Sequence, residues 1–570
     1  MTGPSRPFET FDDWLDAFFA SYYRRRPVNA TFVGRHEYDD QLPDYSADAV
    51  AKYVAEIEDL RSALATFDRH ELSEARAIDH RLASGALKIQ HWELTGDHFH
   101  RSNPCLYTGE AIFGVLSLFL TDYAPLSERV DAAIARLEGI PSWLDQGTRN
   151  LDSAPEWWID RAVDECRGAL AFFGNGVETL ADEKGITDPE FRSVSEDAAA
   201  AFRSFRSFLE TDLSANATQQ YACGADVLEL IVSEGHCRDE SLDEIETYAR
   251  EQLAEAESYL EDHAREFGAD DWQEALAQMA EDHPDVENYY DRHRELYDEC
   301  RERVAEHDLV TWPDYPLEFT PRPEWTREVA KDTYFLFYRA PAPEDDTEPV
   351  SYLLEAVDPD MDEEVIEERL ARWNDSVIKQ NHVAHHGGIG HHVQNYNAHR
   401  ADSRIGRMAA TDTAARIALV CGGTMAEGWA PYATALLTET DYYTDLEEFA
   451  LQHYRLRNAA RAVVDVALHR GDMTAVEASQ FYQDRAGMSP GMELSGAGYE
   501  VVKNSMFPGM ALMYLVGPDT ISDLRDDMET ALGQEFDLQS FHDEFLSYGS
   551  VPASVVADRM RTRHLGGGAG

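Results

Sequence analysis

The 570-residue sequence predicts a mainly α fold, a large multi-helix architecture with a small β element just before a His-rich motif. Three observations carry that expectation. Apolar residues recur at helical spacing through most of the chain. Prolines 313, 316, 321 and 323 interrupt that rhythm within about a dozen residues. Six of the 21 histidines then fall between His382 and His399.

The elements follow in order. Phe11–Tyr23 sets Trp14, Phe18, Phe19 and Tyr22 on one face and is followed by the breaker Pro27. Ala47–Phe67, Ser73–Gly96, Leu126–Asn150, Asp160–Glu183 and Asp188–Ser214 read as long amphipathic helices. Leu242–Phe267 and His283–His307 are acidic helices, with a shorter helical piece expected in Asp270–Asp282. Their charge runs read as solvated faces. Past the prolines, Asp332–Arg339 and Val350–Leu354 are expected strands, rich in Tyr, Phe and Val, flanking an acidic turn at Ala340–Pro349. Helix resumes from Met361, with Asp402–Ile417, Thr424–Leu437, Leu446–His469 and Ala475–Ala486 as its clearest stretches. Gly566–Gly570 reads as a flexible tail. The expected organisation is an N-terminal helical region (1–310), a Pro-rich connection with short strands (311–360) and a C-terminal helical region (361–565), forming one integrated unit.

Composition bounds the setting. The formal net charge is -59, and only six of the 49 basic residues are Lys. Such an excess of carboxylate self-repels in dilute buffer and is screened in concentrated salt. The reading is a cytoplasmic protein of a salt-accumulating cell. The same charge argues against nucleic acid or an anionic membrane as partner, since both need basic patches. Cysteines 105, 166, 223, 237, 300 and 421 form no Cys-x-x-Cys pair, which argues against a disulfide framework or a Cys-based zinc site. The acidic start, Met1 to Trp14, does not read as a signal peptide, and no apolar stretch reaches membrane-spanning length.

Dense short His tracts point to metal, because neutral imidazole is the commonest ligand for zinc and its neighbours. Gly387, Gly388 and Gly390 disfavour regular helix, so His385 and His386 are expected on a glycine loop. Helix is expected from Ile389 or His391 onward, with His391, Asn395 and His399 on one stripe and His392 beside it. A further ligand is needed, and Glu427 in Glu427-Gly428-Trp429 is the candidate; the bland alternative is an acid complementing a helix dipole. Arg461, Asp465 and His469 share one helical stripe, either as an ion-pair ladder or with His469 steadying an oxyanion. Lys503 and Tyr514 flank an apolar, Met-rich segment that reads mainly as core.

These motifs occur in a familiar order: Gly-Gly-x-Gly-His-His, Glu-Gly-Trp-Ala-x-Tyr-Ala, Arg-Ala-x-x-Asp-x-x-Leu-His and Pro-Gly-x-Ala-x-x-Tyr-x-x-Gly. The sequence resembles the largely uncharacterised family called domain of unknown function 885, itself similar to helical, gluzincin-type zinc peptidases. The likeness is strongest over His385–Arg525, and Tyr23–Tyr45 shares the family's look. It implies a metallopeptidase-like fold, Zn2+ as cofactor and His385, His391 or His392, and Glu427 as metal ligands. It implies His469 and Tyr514 as helpers toward substrate or oxyanion. The family motif is H-E-x-x-P-G-H-H, and this chain departs from it with His386 for the Glu and Ile389 for the Pro. His386 then stands as the general base or as an extra ligand, and Glu500 is a base candidate from elsewhere in the fold.

The expected function is hydrolysis of amide bonds in a short peptide or small amide, with His386 as base, His469 and Tyr514 as catalytic helpers and Arg461 and Lys503 toward the substrate. The rival expectation is a metal- or ligand-binding homologue without catalysis. One prediction follows from charge alone: transfer from about 2 M KCl to dilute buffer lowers the thermal unfolding midpoint markedly, because the surface loses its screening. An unchanged midpoint across that range would contradict the halophilic reading.

Overall fold

A computed structural model describes residues 8–333, 338, 341–345, 350–409, 411, 422–493 and 496–566. It is mainly helical, and its described strands are short. Contacts group the chain into two compact units: Met1–Tyr221 with Arg322–Glu348 and Thr411–Leu419, and Ala222–Pro321 with Pro349–Ala410 and Val420–Gly570. The acidic helices Leu242–His263 and Tyr289–Glu306 therefore belong with the His-rich motif.

In the first unit, Phe11–Arg25 forms as expected and starts in a capping box between Thr10 and Asp13. Leu126–Asn150 forms over the expected residues. The expected Asp160–Glu183 helix is Glu156–Ala171 continuing through a π-helical turn into Val177–Lys184. Pro104–Leu120 is a helix that periodicity does not reveal, because nearly every residue on it is buried and no polar face alternates with an apolar one. Arg136 ties this unit together from its interior. Its guanidinium donates to the carbonyls of Gly114 (2.6 Å), Gln41 (3.0 Å), Pro27 (3.3 Å) and Tyr38 (3.3 Å), and to the Thr31 and Ser117 hydroxyls.

In the second unit, Val350–Leu354 is a strand as expected, but its partner is Leu317–Pro321, in parallel register from Leu317 opposite Val350 to Pro321 opposite Leu354. The prolines that suggested an irregular connection flank and end this edge strand, where a missing N–H is tolerated. Of the expected strand Asp332–Arg339, most lies outside the described residues, and Asp332 ends a short helix, Val329–Asp332. Of the expected helix Asp402–Ile417, Arg404–Met408 is helical, and residues 410 and 412–417 lie outside the described residues.

Two long helices frame the rest of this unit. Asp445–Arg470 opens in a capping box between Thr444 and Glu447 and packs along Leu242–His263. Gly423–Leu436 packs closely on Met513–Leu532, and a Cβ at Gly428 would meet the Gly517 backbone at 2.9 Å. No helix among the described residues is long and apolar enough to cross a membrane.

Arg136→Met leaves several buried carbonyls without their donor. It is expected to destabilise the first unit by about 3–5 kcal/mol, read as a drop in its denaturation midpoint.

Candidate metal centre

The His-rich segment is helical further than its glycines suggest. Ile378–Gly387 winds as a wide π-helix, so His385 and His386 sit on its last turn and not on a loop. Only the stretch to Gly390 is irregular, and a new helix, His391–Ala398, starts at once. The reversal is tight. Gly388 N–H donates to the Val383 carbonyl (2.6 Å) and Gly390 N–H to the Ala384 carbonyl (2.9 Å). A Cβ at residue 390 would lie 1.9 Å from the His385 carbonyl oxygen. The glycines thus let the chain fold against its own preceding turn.

This reversal turns three imidazoles toward one another. The ligand nitrogens of His385, His386 and His391 all lie within 4.8 Å of each other. Glu427, on Gly423–Leu436, reaches the same point: its Oε2 is 3.7 Å from His385 Nε2 and 3.6 Å from His391 Nε2. That oxygen is sealed from solvent and has no hydrogen-bond partner. Trp429 connects the two elements, its indole N–H donating to the Ile389 carbonyl at 2.8 Å. His386 Nδ1 lies 2.7 Å from the Asn381 carbonyl, so it carries the proton and Nε2 keeps its lone pair.

The electrostatics suit a cation. Burial, with the neighbouring rings, holds His386 down to about 3, and burial alone holds His391 down to about 4. His385 is lowered by burial, by His386 and His391, and by Arg461. All three are neutral donors at neutral pH. Burial pushes the Glu427 carboxyl up to about 7 against Lys503, Arg461 and Tyr514, so a cation at the orphaned oxygen would favour its ionised form. Tetrahedral zinc with ligands near 2.1 Å sets its donors roughly 3.4 Å apart, close to the His–Glu spacings found here. His385, His386 and His391 could therefore hold a metal together, and Glu427 faces two of them.

Other expected site residues sort differently. His392 points away: its Nε2 meets the Tyr315 carbonyl at 2.8 Å and its ring stacks on Tyr315. Of the adjacent pair, His391 alone faces Glu427. His469 is also remote in chemistry. Its Nδ1 accepts from Cys223 N–H (3.2 Å) and its Nε2 donates to the Asn504 carbonyl (3.0 Å), so both nitrogens bond the backbone. On the Arg461–Asp465–His469 stripe, His469 Nε2 lies 3.6 Å from Asp465 Oδ1, but burial lowers His469 to about 4 and keeps it neutral, so the contact is not an ion pair. Asp465 accepts the N–H groups of Gly509, Ala511 and Leu512, each at 3.0 Å, and shapes the Pro-Gly turn. Arg461 instead grips Glu500 with two bonds, at 3.0 and 2.5 Å. Burial opposes ionisation of Glu500, but Arg461, Lys503 and Arg457 overcome it and hold the carboxyl at about 2. A carboxylate so held is a poor proton acceptor. Lys503 and Arg461 both lie against the Tyr514 ring, at 5.3 and 5.1 Å from its centre.

Sequence spacing missed Asn381, because only an i to i+5 winding sets its carbonyl beside His386. It also missed Tyr454, whose ring lies 6.1 Å from that of His385.

A family model for bacterial proteins of unknown function, DUF885, matches residues 27–560. The chain belongs to this family. Among solved structures, the DUF885 chain is similar to a candidate lipoprotein of unknown function from Shewanella oneidensis, with TM-score 0.76, 21% identity, and 97% of this chain and 100% of that one covered. It is similar also to a candidate lipoprotein from Colwellia psychrerythraea, with TM-score 0.76, 17% identity, and 98% and 99% covered. At these identities the likeness shows a shared fold. No curated protein matches it significantly.

Trp429→Phe keeps the packing and removes the donor to Ile389. It is expected to cost about 1–3 kcal/mol and to speed amide hydrogen exchange at Gly388 and Gly390. Unchanged exchange there would show that the reversal holds itself without the indole.

Proposed function

We propose that this DUF885 chain is a metal-dependent hydrolase that cleaves an amide bond in a short peptide or small amide. The observation that carries the reading is the sealed, partnerless Glu427 Oε2 facing His385 and His391 at 3.7 and 3.6 Å. An unpaired buried carboxylate oxygen is costly, and a cation held between it and two neutral imidazoles removes that cost. The motif order supports the same reading, since it resembles that of the DUF885 family, which is similar to gluzincin-type peptidases, with His386 at the position of the motif Glu. Zn2+ is the best-suited ion for this N/O donor set, and when bound it would polarise a substrate carbonyl and acidify a water molecule.

The chain's own residues supply the rest. His385, His391 and Glu427 would hold the ion. His386, its Nδ1–H anchored on the Asn381 carbonyl, offers Nε2 as base for a water proton. Tyr514 faces Glu427 and is a candidate donor to a developing oxyanion. Arg461 and Lys503 give the site positive potential. The acid-rich composition supports a high-salt cytosol as the working environment.

A second reading is favoured by His386 itself. Its ring centre is 4.6 Å from that of His385, near enough to become a fourth ligand and to close the position a substrate needs.

Metal analysis and peptide hydrolysis, both in about 2 M KCl before and after chelation, test both readings. The expected result is stoichiometric metal and chelator-sensitive cleavage. His391→Ala and Glu427→Ala should each lower metal affinity by more than about 100-fold. His386→Glu should raise hydrolysis by about tenfold or more if His386 is a weak base. Bound metal without turnover on a broad short-peptide library would leave only the second reading. Absence of metal would overturn both.

A further inference from the structure

The groups beside the metal centre are unbalanced in charge. Arg457 and Arg461 come from Asp445–Arg470, and Lys503 from Ala497–Met506. Among the described residues, the carboxylates facing them are Glu500 and Glu427. Glu500 is committed to Arg461 by two hydrogen bonds. Glu427 is directed at the histidines. Arg457 is left with a distant share of Glu500, its Nη2 being 4.0 Å from Oε1. Its Nε is buried and has no hydrogen-bond partner. Burial and the adjacent Arg461 both push the Arg457 pKa down, so its charge is under-compensated. A bound divalent metal would enlarge the positive excess.

The excess stands out against the rest of the chain. With 108 acidic and 49 basic residues, and only six Lys, surplus cations at one sheltered place run against the general trend. Solvated acids need no such cluster, whereas an anion entering a strongly acidic protein does.

Resting on the hydrolase reading above, we propose that Arg457, with Arg461 and Lys503, forms an anion subsite that takes the free C-terminal carboxylate of a short peptide. Arg457 Nε is sealed and its side chain is partly exposed, so its terminal nitrogens are the donors open to a carboxylate, a planar acceptor that a guanidinium suits. Distance sets the register. Arg461 and Lys503 lie against the Tyr514 ring at 5.1 and 5.3 Å, and Tyr514 itself faces Glu427. One aromatic ring separates Arg461 and Lys503 from Glu427. At roughly 3.5 Å of extended chain per residue, the bond cut lies within about two residues of the carboxylate. The substrate class is therefore a short peptide shortened from its C-terminal end.

The test uses the full chain in about 2 M KCl, with and without metal. The probes are 3-phenylpropanoate, its primary amide, and inorganic phosphate, titrated calorimetrically. The acid should bind about tenfold or more tightly than the amide, with or without metal, because the preference lies in the cations. Arg457→Gln should abolish that preference and leave metal content unchanged, and Arg457→Lys should keep part of it. If Arg457→Gln does not fold, Lys503→Gln carries the acid-over-amide comparison alone, because Lys503 also acts on Glu427. Equal binding of acid and amide would overturn the subsite, as would a preference that survives Arg457→Gln or phosphate binding in place of the acid. Paired short peptides with free and amidated C-termini separate this proposal from the reading it rests on. Equal cleavage of both forms overturns the subsite and leaves the hydrolase. No cleavage of either, with the acid preference intact, overturns the hydrolase and leaves an anion site.

Discussion

The candidate centre depends on a chain reversal completed between Gly387 and Gly390. There the backbone folds onto the turn it has just left, with Gly388 and Gly390 bonded to the Val383 and Ala384 carbonyls. Any side chain at residue 390 would collide with the His385 carbonyl, 1.9 Å from where its Cβ would lie. Without that approach, His385 and His386 on one helix could not face His391 on the next. The constraint then passes outward. The Trp429 indole grips Ile389 at the apex and so sets Glu427, two residues earlier on the same helix, against the imidazoles. Gly428 lies against Gly517, which lets the helix Met513–Leu532 come close enough to bring Tyr514 to Glu427.

Enclosure then gives two carboxylates opposite characters. Glu500 is buried and Glu427 half-buried with its Oε2 sealed, both beside Arg461 and Lys503. Glu500 takes two hydrogen bonds from Arg461 and stays ionised, held at about 2. Glu427 receives no such grip on Oε2, and burial pushes it up to about 7. The first is a structural counter-ion, and the second is poised to gain from a cation. Separate roles for like groups in one site arise from environment in this way. The same enclosure keeps the histidines neutral, which a metal ligand requires.

Much of the helical architecture was legible in apolar spacing. Phe11–Arg25, Leu126–Asn150 and Asp445–Arg470 each pair a buried stripe with a polar face, and each starts or ends within a few residues of expectation. Pro104–Leu120 was not legible, because burial on all sides erases the alternation that spacing arguments read. Leu317–Pro321 was hidden by its prolines, which mark an edge strand as readily as a linker. At the centre, residue types alone singled out the His-rich segment and Glu427, and the family resemblance narrowed the ligands to His385, His391 or His392, and Glu427. They did not separate His391 from His392, which differ by about 100° in helical phase, and the helix start at His391 decides which one meets Glu427.

By itself the sequence determined the mainly helical class, the acidic surface, the donors suited to a cation and the glycines that must break the helix between them. These are local properties of residue type and of spacing within one or two turns. Only the tertiary structure decided the pairings. His392 belongs to Tyr315, Arg461 to Glu500 and His469 to Cys223 and Asn504. Each joins residues dozens to hundreds of positions apart. Helical periodicity tells which face a side chain occupies, and the packing of whole elements decides what stands opposite it.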